Sequence, residues 1–238
     1  RYDLTGEKLG DAAFGAVMKH SRDWNLARES LLSSGLAPET PAFDLQRACG
    51  TSLSAAVLIA SKISTGLIDS GLAGGADTLS DLPIVYPDAY RHLLLESARG
   101  RSIGEKIKPW LGLRPRHFKP VFPGVVEPRT NLSMGQSMEL TAKEWRLTRA
   151  DQDQLALESH QKAARAYEEG YYDDLVVEFN GVTRDNNVRA DSSLERLARI
   201  KPVFDRSETG TITAGHSTPL TDGASAVLLA SAEWAQAR

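Results

Sequence analysis

A single cysteine, Cys49, among 238 residues removes any intramolecular disulfide framework and any multi-cysteine metal site, so this chain must be held together by a packed core. Its length suffices for one large domain or two modest ones. A formal net charge of -3 gives no general pull toward nucleic acid or anionic membrane, and any electrostatic partner has to be read from local patches. The longest apolar stretches fall far short of the roughly 20 residues that cross a bilayer. The polar start Arg1-Tyr2-Asp3-Leu4-Thr5 lacks the apolar run of a signal peptide. One reduced thiol and no leader lead to the expectation of a cytoplasmic setting. The lack of an initiator Met, with a periodic pattern starting almost at once, leads to the expectation that the chain begins inside a larger protein.

Cys49 stands in Gln46-Arg47-Ala48-Cys49-Gly50-Thr51-Ser52-Leu53, where an extended segment gives way to a small-residue, apolar helical pattern. A thiol at a helix start faces unpaired backbone N–H groups and the positive end of the macrodipole, both of which favour thiolate. An isolated cysteine is more often an inert, buried small hydrophobe. The residues around it decide between the two.

Along the chain, Leu9, Ala12, Ala13, Ala16 and Val17 recur at three- and four-residue steps and predict an amphipathic helix over 6–20. A second helix is predicted from about Trp24 to Ser34, ending at Gly35, followed by a strand over 42–48 entering the cysteine turn. Leu53, Ala56, Val57, Ala60, Ile63 and Leu67 form one stripe of the next helix, with Ala55, Leu58 and Ile59 opposite, which predicts burial on most sides. Gly71 to Asp77 is a poor strand by propensity, yet its small residues suit a central strand with close backbone approach. Prolines at 83, 87, 109, 115, 120, 123 and 128 then interrupt periodicity until a helix over 134–145. Thr148 and Asp151 have capping-box spacing and open a long helix to Gly170. Strand over 175–179 and helix over 193–200 follow, and 224–230 returns to the texture around Cys49. The expected class is α/β, with 1–81 and 207–238 forming one α/β domain and 82–206 a loop-rich insertion.

Three separated segments together resemble the thiolase family, the 3-ketoacyl-CoA thiolases and acetyl-CoA acetyltransferases. Gln46 to Ala56, followed by Gly74-Gly75-Ala76-Asp77, is similar to the family's nucleophile signature. Ser133-Met134-Gly135-Gln136 resembles its Met-Gly motif, and Thr213-Ala214-Gly215-His216-Ser217-Thr218 with Asp222-Gly223-Ala224 resembles its Thr-Ala-Gly-Asn and Asp-Gly-Ala loop. Ser133 stands where many members have His, and His216 where Asn is usual. The family's Asn-Glu-Ala-Phe motif, Gly-His-Pro histidine and second cysteine have no match in these residues.

The resemblance implies a thiolase fold, its amino-terminal half with an inserted loop domain, and an acyltransferase in which Cys49 is the nucleophile that becomes acylated. Coenzyme A is implied as substrate rather than as a permanently bound cofactor, and no metal is expected. Met134 is implied to pack on the acyl or pantetheine chain, with Ser217 and Thr218 hydrogen-bonding its amides; core packing and ordinary turn hydroxyls are the plainer readings. His216 is the best placed of five histidines to serve as a base, although loop histidines more often serve as hydrogen-bonding residues. Seven cations between Arg99 and Lys119 against Glu105 can meet coenzyme A phosphates or an anionic partner, or simply be solvated. Implied partners are a second copy in a homodimer or homotetramer and a hydratase/dehydrogenase subunit. Rival readings are a ketoacyl synthase-like condensing enzyme, a non-catalytic acyl-CoA or partner-binding module, and, more remotely, a cysteine hydrolase. With base and second cysteine unmatched, the chain is expected to show negligible turnover alone.

Overall fold

The computed structural model describes residues 2–238 and contains, in chain order, β1 (Asp11–Gly15), α1 (Leu26–Leu32), β2 (Ala42–Asp44), α2 (Thr51–Ser64), β3 (Ser70–Asp77), α3 (Asp88–Arg99), α4 (Ile103–Ile107), α5 (Met134–Glu144), α6 (Arg149–Glu168), α7 (Leu194–Ala198), β4 (Gly223–Ala230) and α8 (Ala232–Gln236). Two compact units divide the chain, one of residues up to Pro123 with Leu220–Arg238, the other of Gly124–Pro219. Within the first unit, α3 packs on α4 and on the short 3-10 turns that follow it.

The first unit is built on a four-stranded sheet of order β2-β1-β3-β4. β1 runs parallel to β2 and β3, and β4 pairs antiparallel with β3 over its whole length, from Ser70 opposite Ala230 to Asp77 opposite Gly223. The helix predicted over 6–20 is therefore replaced by strand β1. Its residues are buried on both faces, so its apolar run carries no period-2 signal, and the same spacings fit a helix. Non-local pairing with Ala42 and Leu72 at Ala12 decides for the strand.

Successive side chains of β1 face opposite ways. Ala13 joins Ala55, Ile59 and Ala73 in a buried cluster that Phe43, Leu45 and Leu229 border, while Phe14 lines a cavity with Leu26 and Ser30 of α1 on the other side. α2 lies close on the sheet because Gly71 leaves room: a Cβ there would sit 2.9 Å from Ile59 Cγ2 and 2.8 Å from the Asp11 carbonyl oxygen. Lys62 of α2 pairs with the buried Asp11 carboxylate at the start of β1 and lies 4.9 Å over the Phe43 ring. α2 buries Thr51, Ala55 and Ile59, whereas Leu53 and Val57 are 72% and 58% exposed. Burial on most sides is thus corrected to one narrow stripe, because the sheet covers one side of the helix.

At the other crossover, Asp44 at the end of β2 receives the N–H groups of Leu26 (2.9 Å) and Ala27 (2.7 Å) and pairs with Lys19. Burial pushes the Asp44 carboxyl up, but the Ala27 N–H, the Lys19 ammonium and the Leu26 N–H outweigh it and hold the group below its ordinary value. The start of α1 is tied to the sheet by that carboxylate.

In the second unit, helix starts follow their sequence signals. Ser133 and Gln136 form a capping box at α5, and Thr148 and Asp151 form one at α6. Gly135 in the first turn of α5 is required by packing, since a Cβ there would lie 2.2 Å from the Phe204 ring. The strand predicted over 175–179 is absent; Phe179 and Val182 instead close a two-residue turn whose Asn180 and Gly181 have φ of 50° and 79°. Asn-Gly satisfies that mirror-image turn, and no further ladder extends it.

Candidate active site

Cys49 is exposed and lies in the turn between β2 and α2, ahead of the N-cap Gly50. Its thiol therefore stands just outside the helix, not within its first turn. The turn is held by Thr51, whose buried hydroxyl donates to the Ala48 carbonyl at 2.7 Å and accepts the Arg47 N–H at 2.8 Å. Gly50 N–H and Thr51 N–H donate to the carbonyls of Arg47 and Ala48. So tight a path places Ala48 at φ 46°, in the left-handed region that costs a non-glycine residue roughly 1 kcal/mol. This strained residue stands immediately before the exposed cysteine.

The thiol borders a cleft of about 330 Å³ lined by Gly15 at the end of β1 and Val17 beyond it, by Thr51 and Ser52 of α2, by Gly75, Ala76 and Asp77 of β3, and by Gly223 to Ser225 of β4. In an α/β sheet, the carboxyl ends of parallel strands are where ligands bind, because helix starts and loops converge there. Two glycines make the floor. A Cβ on Gly75 would fall 2.2 Å from the Gly15 carbonyl oxygen and 2.9 Å from Ser52 Oγ, so α2 presses directly on the strand ends.

Carboxylates bind the rim together. Asp77 accepts the Met18 N–H at 2.7 Å, fixing the exit of β1 to the end of β3. Asp222 accepts the N–H groups of Leu79 (2.7 Å) and Ser80 (2.8 Å) and the Ser80 hydroxyl. The Ser80 hydroxyl and N–H, with the Leu79 N–H, hold Asp222 below the ordinary carboxylate range. Thr51, Asp77 and Ala48 lie inside the motif segments, but the sequence assigns none of them a role.

Met134, Ser217 and Thr218 belong to the second unit. Met134 opens α5 and is 64% exposed. The Ser217 hydroxyl donates to the Thr213 carbonyl at 2.8 Å, and that of Thr218 to the Pro219 carbonyl at 3.4 Å, so in this state both serve the turn. His216 is only 6% exposed at its side chain; Nδ1 accepts the Thr213 N–H at 3.3 Å and Nε2 meets Asp153 Oδ1 at 2.5 Å. A ring engaged at both nitrogens holds structure and does not act as a free base. In the basic segment, Trp110 donates to Ser97 Oγ at 2.8 Å and packs edge-on near Tyr90, while Leu111 is 84% exposed. Among the described residues, no cluster of His, Cys, Asp and Glu could hold a metal, and no helix is long and apolar enough to cross a membrane.

With strand order, cysteine turn and cleft established, residues 1–233 match the thiolase N-terminal domain family. The chain belongs to the thiolase family. It is 42% identical over 242 residues to a 3-ketoacyl-CoA thiolase of Erwinia tasmaniensis, covering 99% of this chain and 55% of that protein. With a 3-ketoacyl-CoA thiolase of Pectobacterium carotovorum it shares 43% identity over 237 residues, covering 97% of this chain and 54% of the other. Among solved structures, acetyl-CoA acetyltransferase of Bacillus anthracis and human mitochondrial 3-ketoacyl-CoA thiolase in complex with CoA each superpose with a TM-score of 0.76 at 26% identity, over 98% of this chain and 56% of theirs. The mixed α/β fold is thus that of the thiolase N-terminal region, as the sequence resemblance implied. The chain spans about half the length of the curated relatives it matches.

Proposed function

We propose that this chain carries the acyl-accepting part of a thiolase-type acyltransferase, with Cys49 as the nucleophile. The observation that carries this reading is the exposed Cys49 thiol on a strained turn at the cleft where β1 and β3 end. In the thiolytic direction, Cys49 Sγ as thiolate attacks the 3-keto carbon of a 3-ketoacyl-CoA. The tetrahedral alkoxide collapses by breaking the C2–C3 bond, which leaves acyl-Cys49 and the enolate of acetyl-CoA; the enolate takes a proton to become acetyl-CoA. A coenzyme A thiolate then attacks the acyl-Cys49 carbonyl, releasing an acyl-CoA shortened by two carbons and restoring the Cys49 thiolate. The reverse sequence is a Claisen condensation of acetyl-CoA.

The backbone N–H of Cys49 is the candidate donor to the developing oxyanion, an interaction commonly worth about 3 kcal/mol. Small walls at Gly15, Gly75 and Gly223 leave space for an acyl group beside the sulfur. Met134, Ser217 and Thr218 are the proposed coenzyme A contacts, the first by apolar packing and the others by hydrogen bonds to pantetheine amides. Deprotonation of the thiol and protonation of the enolate are roles that the family resemblance gives to a histidine and a second cysteine without matching motifs in these 238 residues. The chain by itself therefore performs at most the acyl-transfer half-reaction. Pairing into a homodimer or homotetramer and association with a hydratase/dehydrogenase subunit belong to the same reading, as does a cytoplasmic setting.

The test is intact mass before and after incubation with acetyl-CoA, followed by peptide mapping. One acetyl group on Cys49, absent from Cys49→Ser, supports the reading. No acetyl transfer, or transfer that persists in Cys49→Ser, defeats it.

A further inference from the structure

Two carboxylates of the second unit are buried and have no part in the chemistry proposed above. Glu139 on α5 is 2% exposed; it accepts the backbone N–H groups of Thr211 and Ile212, each at 2.8 Å, and the Thr211 hydroxyl at 3.0 Å. Asp153 on α6 is 5% exposed; it accepts Arg149 Nε at 3.0 and 3.1 Å and faces His216 Nε2 at 2.5 Å. A buried carboxylate is costly unless its oxygens are fully paired, so each of these fixes the donors that surround it.

Those donors converge on one short segment. Glu139 grips its start at Thr211 and Ile212. His216 joins its end to Asp153 while accepting the Thr213 N–H. Gln152 of α6 adds a bond from Nε2 to Thr211 Oγ1 at 3.0 Å, so the Thr211 hydroxyl donates to Glu139 and accepts from Gln152. Arg149, held by Asp153, in turn donates to the carbonyls of Leu197 (2.5 Å) in α7 and Ile200 (3.0 Å) just beyond it. The segment leads straight into Ser217 and Thr218, and Glu139 lies on the helix that begins with Met134.

From this arrangement we infer that Glu139 and the Asp153–His216 pair are positioning residues that preform a coenzyme A-binding surface, by fixing the Met134 helix to the turn that bears Ser217 and Thr218. The inference rests on the proposed reading of those three residues as coenzyme A contacts. Its physical content is preorganisation: a turn already ordered before the ligand arrives loses less conformational freedom on binding. A loosened turn weakens coenzyme A binding and leaves the Cys49 turn, in the other unit, as it was. An imidazole at 216 suits this purpose because its two nitrogens reach the Thr213 N–H and Asp153 together.

The test compares the 238-residue chain with Glu139→Gln, His216→Phe and Thr211→Val, and with Lys162→Gln as a control on the exposed Glu158 pair of α6. Three readouts are taken: Kd for coenzyme A by calorimetry, amide hydrogen exchange over 211–218, and the rate of Cys49 alkylation by iodoacetamide. Glu139→Gln sets an amide NH2 against a backbone N–H, and its expected effect is a roughly tenfold rise in Kd with faster exchange over 211–218. His216→Phe acts the same way, Thr211→Val more mildly, and Lys162→Gln not at all, with Cys49 alkylation at the wild-type rate throughout. Faster exchange with unchanged Kd overturns the inference and leaves the functional reading standing. Affinity lost together with altered alkylation overturns it too, since the damage is then global. A wild-type chain that does not bind coenzyme A removes the functional reading and the inference together. Where Glu139→Gln does not fold, Thr211→Val carries the comparison, because it removes one hydroxyl and keeps the side-chain shape.

Discussion

Asp222 accepts the Ser80 backbone N–H at 2.8 Å, joining residues 142 positions apart and closing the sheet where β3 ends and β4 begins. With the Leu79 N–H and the Ser80 hydroxyl on the same carboxylate, the clasp borders the Cys49 cleft through Gly223 and Ala224. Three donors favour the ionised form. Its folded pKa is lowered below the 3.8 of a free aspartate, so the stabilisation is fully present above pH 3.8 and is lost as pH falls through the folded value. Asp222→Asn is expected to quicken amide exchange at Leu79 and Ser80 at pH 7 and to remove the acid-dependent step in that exchange. Identical exchange profiles in wild type and variant from pH 7 to pH 3 would refute the clasp.

Ala48 holds a φ of 46° immediately before Cys49. Glycine adopts that conformation without Cβ strain, and Ala48→Gly is expected to raise stability by up to about 1 kcal/mol, partly offset by added unfolded-state entropy. Ala48→Val is expected to lose about 1–2 kcal/mol, because a β-branched residue is poorest in this region. Urea denaturation decides the matter; a valine variant as stable as wild type would show that the turn is unstrained.

Gly15 carries a different constraint. A Cβ there would meet the Leu45 carbonyl oxygen at 2.2 Å and Thr51 Cγ2 at 2.3 Å, and Thr51 is the residue that ties the cysteine turn. Gly15→Ala is expected to destabilise by about 1–3 kcal/mol and to change the rate of Cys49 alkylation, because Thr51 must move. Wild-type stability with a wild-type alkylation rate would show that α2 does not press on the strand ends.

Asp205 is pulled down to about 2 by its hydrogen bond from the Lys143 ammonium and by the Ser207 N–H and hydroxyl. Here too the folded value lies below the unfolded one, so the contribution is complete above pH 3.8 and disappears as pH falls through about 2. In Lys143→Met the Asp205 pKa is expected to rise, while Ser207 still keeps it under 3.8. A carboxyl-carbon NMR titration measures both values. A wild-type Asp205 that titrates like a free aspartate contradicts the pairing.

Local signals in the sequence suffice where a few adjacent residues settle the matter. Thr148 with Asp151 announces α6 because a cap needs only the first turn of its own helix. Ser133 with Gln136 and Ser193 cap α5 and α7 in the structure in the same way, although the sequence shows the first of them as part of a family motif. The glycines of 71–75 were legible as a central strand, since close packing favours small residues there. The Cys49 turn was visible as a change of texture, although Thr51 and Ala48, which shape it, carry no mark that a single sequence displays.

What the sequence determined by itself is the starts of α5, α6 and α7, the small-residue strand β3, the lone thiol and the three motif segments of the thiolase family; α3, inside the proline-rich stretch, carries no such signal. Only the tertiary structure decided that 11–15 is a strand, that α2 buries Ala55 and Ile59 while leaving Leu53 and Val57 open, and that His216 is locked against Asp153. Capping and turn chemistry are satisfied within a few residues of chain. Strand pairing, the choice of a helix's buried face and the partner of a buried imidazole are settled by groups far away in sequence, whose contribution exists only once the chain has folded.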